Sequence, residues 1–232
     1  MADEAAKVRV SPLRRMWRSA VRPFAAHTMK RAFTKKFEKH VALEMDALSG
    51  PGSDLEQTRA VRARLPALLH ELGVKTMLDV PCGDFFWMKT LDLDVDYTGA
   101  DIVDALVERN AQRYGTARRR FVQLNLQADP LPQVDLVFCR DCLVHFPTRG
   151  VAAALANIKR SGSTYLLTTT FDERRVNDDI RVARWRPLNL ERAPFRLPPL
   201  LRVIDEECPE AEFRDKRLGL WRIDSIPDVV VD

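Results

Sequence analysis

Two acids, a lone glycine and a histidine hold most of the chemical information in this sequence of 232 residues. Asp79 lies at the end of a short apolar run, Thr76 to Val80, and is followed by Pro81, Cys82, Gly83 and Asp84. A buried strand that stops at an acid and meets proline and glycine is what a parallel sheet gives where it opens into a ligand crevice. Gly83 has no side chain to obstruct a ligand, and its turn is expected to feed a short helix whose free N–H groups point back at the crevice. Asp101 closes the next strand, Tyr97 to Asp101, 18 residues beyond Gly83. That spacing is close to the one at which an acid hydrogen-bonds the ribose hydroxyls of a bound nucleoside. His145 alone among the four histidines falls at the same end of a core strand. With an ordinary pKa of about 6.5 it could take a proton from a reacting group.

A dinucleotide-dependent oxidoreductase would need several glycines here, because a pyrophosphate must lie against the backbone at a helix start. Only Gly83 is available, and Asp84 beside it would repel a pyrophosphate while suiting a cationic ligand. The loop DVPCGD resembles the acidic, Gly-rich loop of class I methyltransferases that use S-adenosylmethionine (SAM). YTGADIV, DLVFCRDCLVHF and YLLTTTF through WRPLNLERAPF resemble a group of those enzymes with a PCGD loop, and the resemblance covers residues 49 to 225. It implies SAM as cofactor, held by Asp79, Pro81, Gly83, Asp84, Asp101, Ile102, Asn125, Leu126 and Arg140. Asn125 stands where such enzymes usually carry an Asp that meets the adenine amino group, and its carbonyl oxygen can accept the same bond.

The elements that must position these residues follow from periodicity. Strands are expected at Thr76–Val80, Tyr97–Asp101, Phe121–Leu124, Val134–Cys139, Tyr165–Thr169, Leu200–Asp205 and Leu218–Ile223, the last two forming an antiparallel pair in the fold that the resemblance implies. Helices are expected from Ser53 to Gly73, where Ser53 and Glu56 form a capping box, from Val103 to Tyr114 and from Thr148 to Ile158. The pattern predicts an α/β fold, and the resemblance implies a Rossmann-like, seven-stranded, mostly parallel sheet with an antiparallel last strand and helices on both faces. Residues 49–232 form this domain. SGPGS at 49–53 bounds it and, with Thr58, is expected to help roof the cofactor.

Residues 1–48 differ. Eleven Lys or Arg and one acid lie between Lys7 and Lys39, while Leu13, Trp17, Val21 and Phe24, then Met29, Phe33, Phe37, Val41, Met45 and Leu48, recur at helical spacing. Two amphipathic helices are expected, the first ending near Pro23. They could pack as a lid, make weak peripheral contact with an anionic membrane, or grip phosphates. No apolar run approaches the roughly 20 residues that cross a bilayer. Cys82, Cys139, Cys142 and Cys208 are too few and scattered for a disulfide scaffold, so a cytoplasmic setting is expected and no metal site.

Methyl transfer requires alignment of an acceptor with the methyl group and, for a hydroxyl acceptor, removal of a proton. His145 is the expected base, with Asp141 orienting it or acting itself; a structural role for His145 stays open. Arg140 could hold an anion or pair with a carboxylate. The proline-rich stretch from Phe171 to Pro199 has no period, and its Trp185 and Phe195 argue for order. Asn177, Trp185, Arg186 and Asn189 are its expected acceptor contacts, suited to a flat or hydroxylated small molecule or saccharide. No Asn/Asp-Pro-Pro-aromatic segment follows strand four, and Pro81-Cys82 lies on the wrong strand for cytosine ring methylation, so a specific nucleic-acid acceptor is not expected. A non-catalytic binder using the basic arm is the remaining alternative.

Overall fold

The computed structural model describes the backbone of residues 12–231 and the side chains of residues 27–231. Its centre is a sheet of β1 (Thr76–Asp79), β2 (Asp96–Asp101), β3 (Arg119–Gln123), β4 (Leu136–Cys139), β5 (Tyr165–Phe171), β6 (Arg202–Asp205) and β7 (Lys216–Arg222). The spatial order is β3-β2-β1-β4-β5-β7-β6. β1 to β5 pair in parallel, and β7 lies antiparallel between β5 and β6. The strand order departs in opposite directions from β1, toward β2 on one side and β4 on the other. A crevice therefore opens beyond the carboxyl ends of β1 and β4.

Alternation along the strands divides the core into two layers. Leu78, Val137 and Leu166 pack with Val151, Ala154, Leu155 and Ile158 of α4 (Thr148–Arg160). Their neighbours Met77, Leu136, Phe138 and Leu167 pack on the other face with Val61, Leu65, Leu68 and Leu69 of α2 (Arg59–Glu71). Both helices place apolar residues at the three- and four-residue spacing that gives one face. Each fully buried Leu, Ile or Val of this kind contributes roughly 1.5–3 kcal/mol, so a charge at Leu65 or Leu155 would open the layer it fills. α3 (Asp104–Tyr114) packs against β2 and β3.

Three local expectations are corrected. The helix expected at Ser53 begins at Arg59. Residues 51–53 form a 3₁₀ turn, and the Asp54 carboxylate accepts the Gln57 N–H at 2.7 Å, so Asp54 rather than Ser53 satisfies the free backbone here. The short helix expected after Gly83 is absent: Phe85 takes φ +58°, and a 3₁₀ turn follows at Met88–Thr90. Phe85, Trp87 and Met88 are all buried in the α2-side core, so packing of large side chains overrides helix formation in this stretch. The arm is a single helix, α1 (Pro12–Ala42), which continues through Pro23. Proline removes one ladder hydrogen bond without requiring the helix to end. Leu13, Trp17, Val21 and Phe24 lie outside the described side chains. Among the described residues no helix is long and apolar enough to cross a membrane.

Candidate active site

The crevice is a cavity of about 630 Å³ whose floor is built from the ends of β1, β2 and β4 and the segment after β3. It brings together Asp79, Pro81, Gly83, Asp84, Asp101, Ile102, Asn125, Leu126, Arg140, Asp141, His145 and Trp185, which are scattered over more than a hundred positions in sequence. Its roof is the face of α1 carrying Met29, Phe33, Lys36 and Phe37, continued by residues 48–53. This volume lies within the range of small-molecule sites, which is roughly 300–1,000 Å³.

The two acids are buried side by side. Asp79 faces Gly99 across the β1–β2 register, and with no side chain at Gly99 the Tyr97 ring crosses that position and its hydroxyl donates to Asp79 Oδ2 at 2.5 Å. Burial raises the Asp79 pKa to about 8, against the Tyr97 bond and the Arg140 charge, which pull it down; the Asp101 charge adds to the rise. Asp101 accepts the Val103 N–H at 2.9 Å on Oδ1 and the Gly83 N–H at 3.2 Å on Oδ2. Burial raises it to about 6 despite those bonds. Each Asp101 oxygen retains a lone pair beyond its backbone donor, as an acid holding two ribose hydroxyls requires.

Gly83 and Asp84 line the cavity and also engage residues 48 and 49. Asp84 Oδ2 accepts the Leu48 N–H at 2.6 Å, Oδ1 accepts the Ser49 hydroxyl at 2.9 Å, and the Asp84 N–H donates to Ser49 Oγ at 2.8 Å. A Cβ at Gly83, whose φ is +53°, would lie 2.1 Å from Ser49 Oγ. The glycine is therefore required first by the close approach of residue 49. Asn125 forms a local turn, its Oδ1 accepting the Gln127 N–H at 3.0 Å, and Leu126 is buried beside it.

Asp141 and Arg140 belong to an ion cluster. Arg140 donates to Glu206 Oε2 at 3.0 and 2.7 Å and to the Gly52 carbonyl at 2.7 Å. Lys216 Nζ donates to Asp141 Oδ2 at 2.7 Å and lies 3.2 Å from Glu206. Burial alone would raise Asp141; Lys216 and then Arg140 outweigh it and hold the carboxyl down at about 2. Such a group is a poor base. Nor does it orient His145, whose Nδ1 pairs with the Arg184 carbonyl at 2.9 Å. That bond leaves Nε2 as the unprotonated nitrogen of the neutral ring. Burial lowers the His145 pKa, and the Lys36 charge lowers it further against the pull of Arg184 and Asp141. Phe33 of α1 meets the imidazole edge-on, ring centres 5.3 Å apart.

Trp185 reaches the cavity, packed edge-on against Phe213 at 4.9 Å. Asn177, Arg186 and Asn189 do not line it. Asn177 donates to the Asn189 and Ala193 carbonyls, and Asn189 to the Asp172 and Arg174 carbonyls. Arg186 donates to the Asp178 carbonyl at 2.7 Å. A proline-rich segment without regular structure leaves its carbonyls unpaired, and these side chains satisfy them. Sequence reasoning missed Tyr97, whose signal was its i, i+2 relation to Gly99 on a strand. Glu206 and Lys216 gave no signal, since only chain folding brings them to Arg140 and Asp141.

A family model described as a methyltransferase domain matches residues 77–162. No curated protein sequence matches the chain. Among solved structures, 1,6-didemethyltoxoflavin-N1-methyltransferase of Burkholderia thailandensis, with bound 1,6-didemethyltoxoflavin and S-adenosylhomocysteine, is 16% identical with a TM-score of 0.54, covering 94% of this chain and 92% of that one. The methyltransferase domain of bacterial CtHen1 is 18% identical over 50% of this chain, with a TM-score of 0.43. Magnesium protoporphyrin IX methyltransferase of Synechocystis PCC 6803 is 19% identical over 57%, with a TM-score of 0.42. The matches span 66% and 61% of those two chains.

Proposed function

We propose that this chain, whose fold is that of the class I methyltransferases, transfers a methyl group from SAM to an oxygen, or secondarily a nitrogen, of a small-molecule or saccharide acceptor. The observation that carries this reading is the pair of buried carboxylates, Asp79 and Asp101, at adjacent strand ends in a single cavity. Both hold their protons more tightly than ordinary carboxylates, a condition that a bound cation relieves. The residues fit an adenosyl cofactor: Asp101 for the ribose, Asp79 toward the cationic end, and Gly83, Pro81, Ile102, Asn125 and Leu126 along the nucleoside. Two residues depart from it: the Asp84 oxygens serve Leu48 and Ser49, and the Arg140 guanidinium serves Glu206 and Gly52.

Bound SAM supplies an electrophilic methyl group on a sulfonium. The chain positions the acceptor against it, excludes water beneath α1, and accepts the acceptor's proton at Nε2 of His145. The low pKa of His145 keeps this nitrogen free at neutral pH. Phe33, Trp185 and Phe213 offer apolar walls to a flat acceptor. The Burkholderia neighbour, with 1,6-didemethyltoxoflavin bound, supports a small acceptor. A dinucleotide is disfavoured because no α-helix starts after Gly83 to receive a pyrophosphate.

Calorimetry on the full chain with SAM, S-adenosylhomocysteine (SAH) and NADPH tests the reading. SAM and SAH are expected to bind and NADPH not; binding of NADPH in place of SAM would overturn it. Incubation of a small-molecule extract with deuteromethyl-labelled SAM, followed by mass spectrometry of the labelled product, identifies the acceptor.

A further inference from the structure

We infer that Ser49 and Asp84 are positioning residues that couple the cofactor loop to α1, so that occupation of the cofactor half of the cavity fixes the roof over the acceptor half. This rests on the SAM reading above and goes beyond it by giving the basic arm a part in the site. The link is continuous. Asp101 accepts from the Gly83 N–H, Gly83 abuts Ser49, and Asp84 accepts from the Leu48 N–H and the Ser49 hydroxyl. Ala47 and Leu48 are buried, and the Leu48 carbonyl pairs with His40 Nδ1 at 2.7 Å, which ties this joint back to the last turns of α1. On the far side, Arg140 donates to the Gly52 carbonyl. Residues 48–52 are thus clamped between the loops after β1 and β4, the two loops that flank the switch in strand order.

What the clamp holds is the α1 face with Met29, Phe33 and Lys36 over the cavity, Phe33 against His145. The arm is otherwise held, among the described residues, by Met29 and Phe33 packed on the α4-side core. Its one ion pair to the domain among the described residues, Lys30 to Asp104 at 2.7 Å, is exposed and worth little. A ligand that draws on Asp101 and the Gly83 backbone acts on the residue against which Ser49 is seated. Ordering of the roof and binding of the cofactor are then linked, and by reciprocity each favours the other.

The experiment is amide hydrogen exchange of the full chain, wild type and Ser49→Ala, with and without SAH, alongside calorimetry of SAH. In the wild type SAH is expected to slow exchange in residues 27–48 by about tenfold or more, a coupling of about 1.4 kcal/mol. In Ser49→Ala most of that ligand-dependent slowing is lost, while SAH still binds. A merely structural Ser49 would raise exchange equally with and without SAH, and that result would overturn the proposal. So would an arm whose exchange SAH leaves unchanged in the wild type. Should wild-type protein bind no SAH, the cofactor reading itself fails, and the coupling fails with it. Asp84→Ala, which removes the same latch from the other side, is expected to reproduce the loss of arm protection; retained protection would count against the proposal.

Discussion

Tyr97 donates its phenolic proton to Asp79 from the neighbouring strand, at 2.5 Å, across the gap left by Gly99. The bond lowers the cost of an ionised Asp79 but does not cancel its burial, so the carboxyl rests near 8 and Asp101 near 6.

Both values lie above the ordinary carboxylate range, so the folded chain holds these protons more tightly than the unfolded one. The stability they contribute is present below about pH 4 and is lost as pH rises through about 6 and then 8. A cationic ligand favours the ionised acids. The rise in melting temperature given by saturating SAM is therefore expected to grow from pH 5 to pH 8, with proton release seen by calorimetry in buffers of different ionisation enthalpy. A ligand shift that is flat over this range would separate these acids from the cation.

Asp101→Ala removes the acceptor of two backbone N–H groups as well as the proposed ribose contact. SAM affinity is expected to fall by about 1–3 kcal/mol, the scale for bonds to a charged group. Unchanged affinity by calorimetry would take Asp101 out of the cofactor site.

His145→Ala is expected to lower kcat by about a hundredfold or more, the contribution usual for general bases, with SAM affinity unchanged. Because the His145 pKa is lowered, wild-type kcat at saturating SAM should persist through pH 6.5 and fall only in more acidic solution. A pH profile whose acid limb sits at or above 7 would assign the proton transfer elsewhere.

Asp141→Asn leaves Lys216 without its closest carboxylate. Breaking a fully buried pair costs about 3–5 kcal/mol; Asp141 is partly exposed, so about 1–3 kcal/mol is expected in urea unfolding. Loss of turnover at full stability would return Asp141 to the chemistry.

Asn177→Ala strips two carbonyls, those of Asn189 and Ala193, of their donor. A stability loss of about 1–3 kcal/mol is expected, with SAM affinity intact. A large rise in acceptor KM at unchanged stability would restore Asn177 to the acceptor pocket.

The sequence by itself determined the sheet, because strand and helix periods are local properties of side-chain order and the acids of β1 and β2 stand where their strands end. It also determined that Asp79, Asp101, Asn125 and His145 would share one crevice, since carboxyl-terminal ends of neighbouring parallel strands open on one side. Tertiary structure decided the roles that depend on partners far along the chain. Asp84 serves the joint at Leu48 and Ser49, Asp141 is claimed by Lys216, and Asn177 and Asn189 secure their own loop, because a buried charge or an unpaired carbonyl takes whichever complement packing brings within reach. The helix expected after Gly83 gave way for the same kind of reason: burying Phe85, Trp87 and Met88 outweighs the propensity of a few residues.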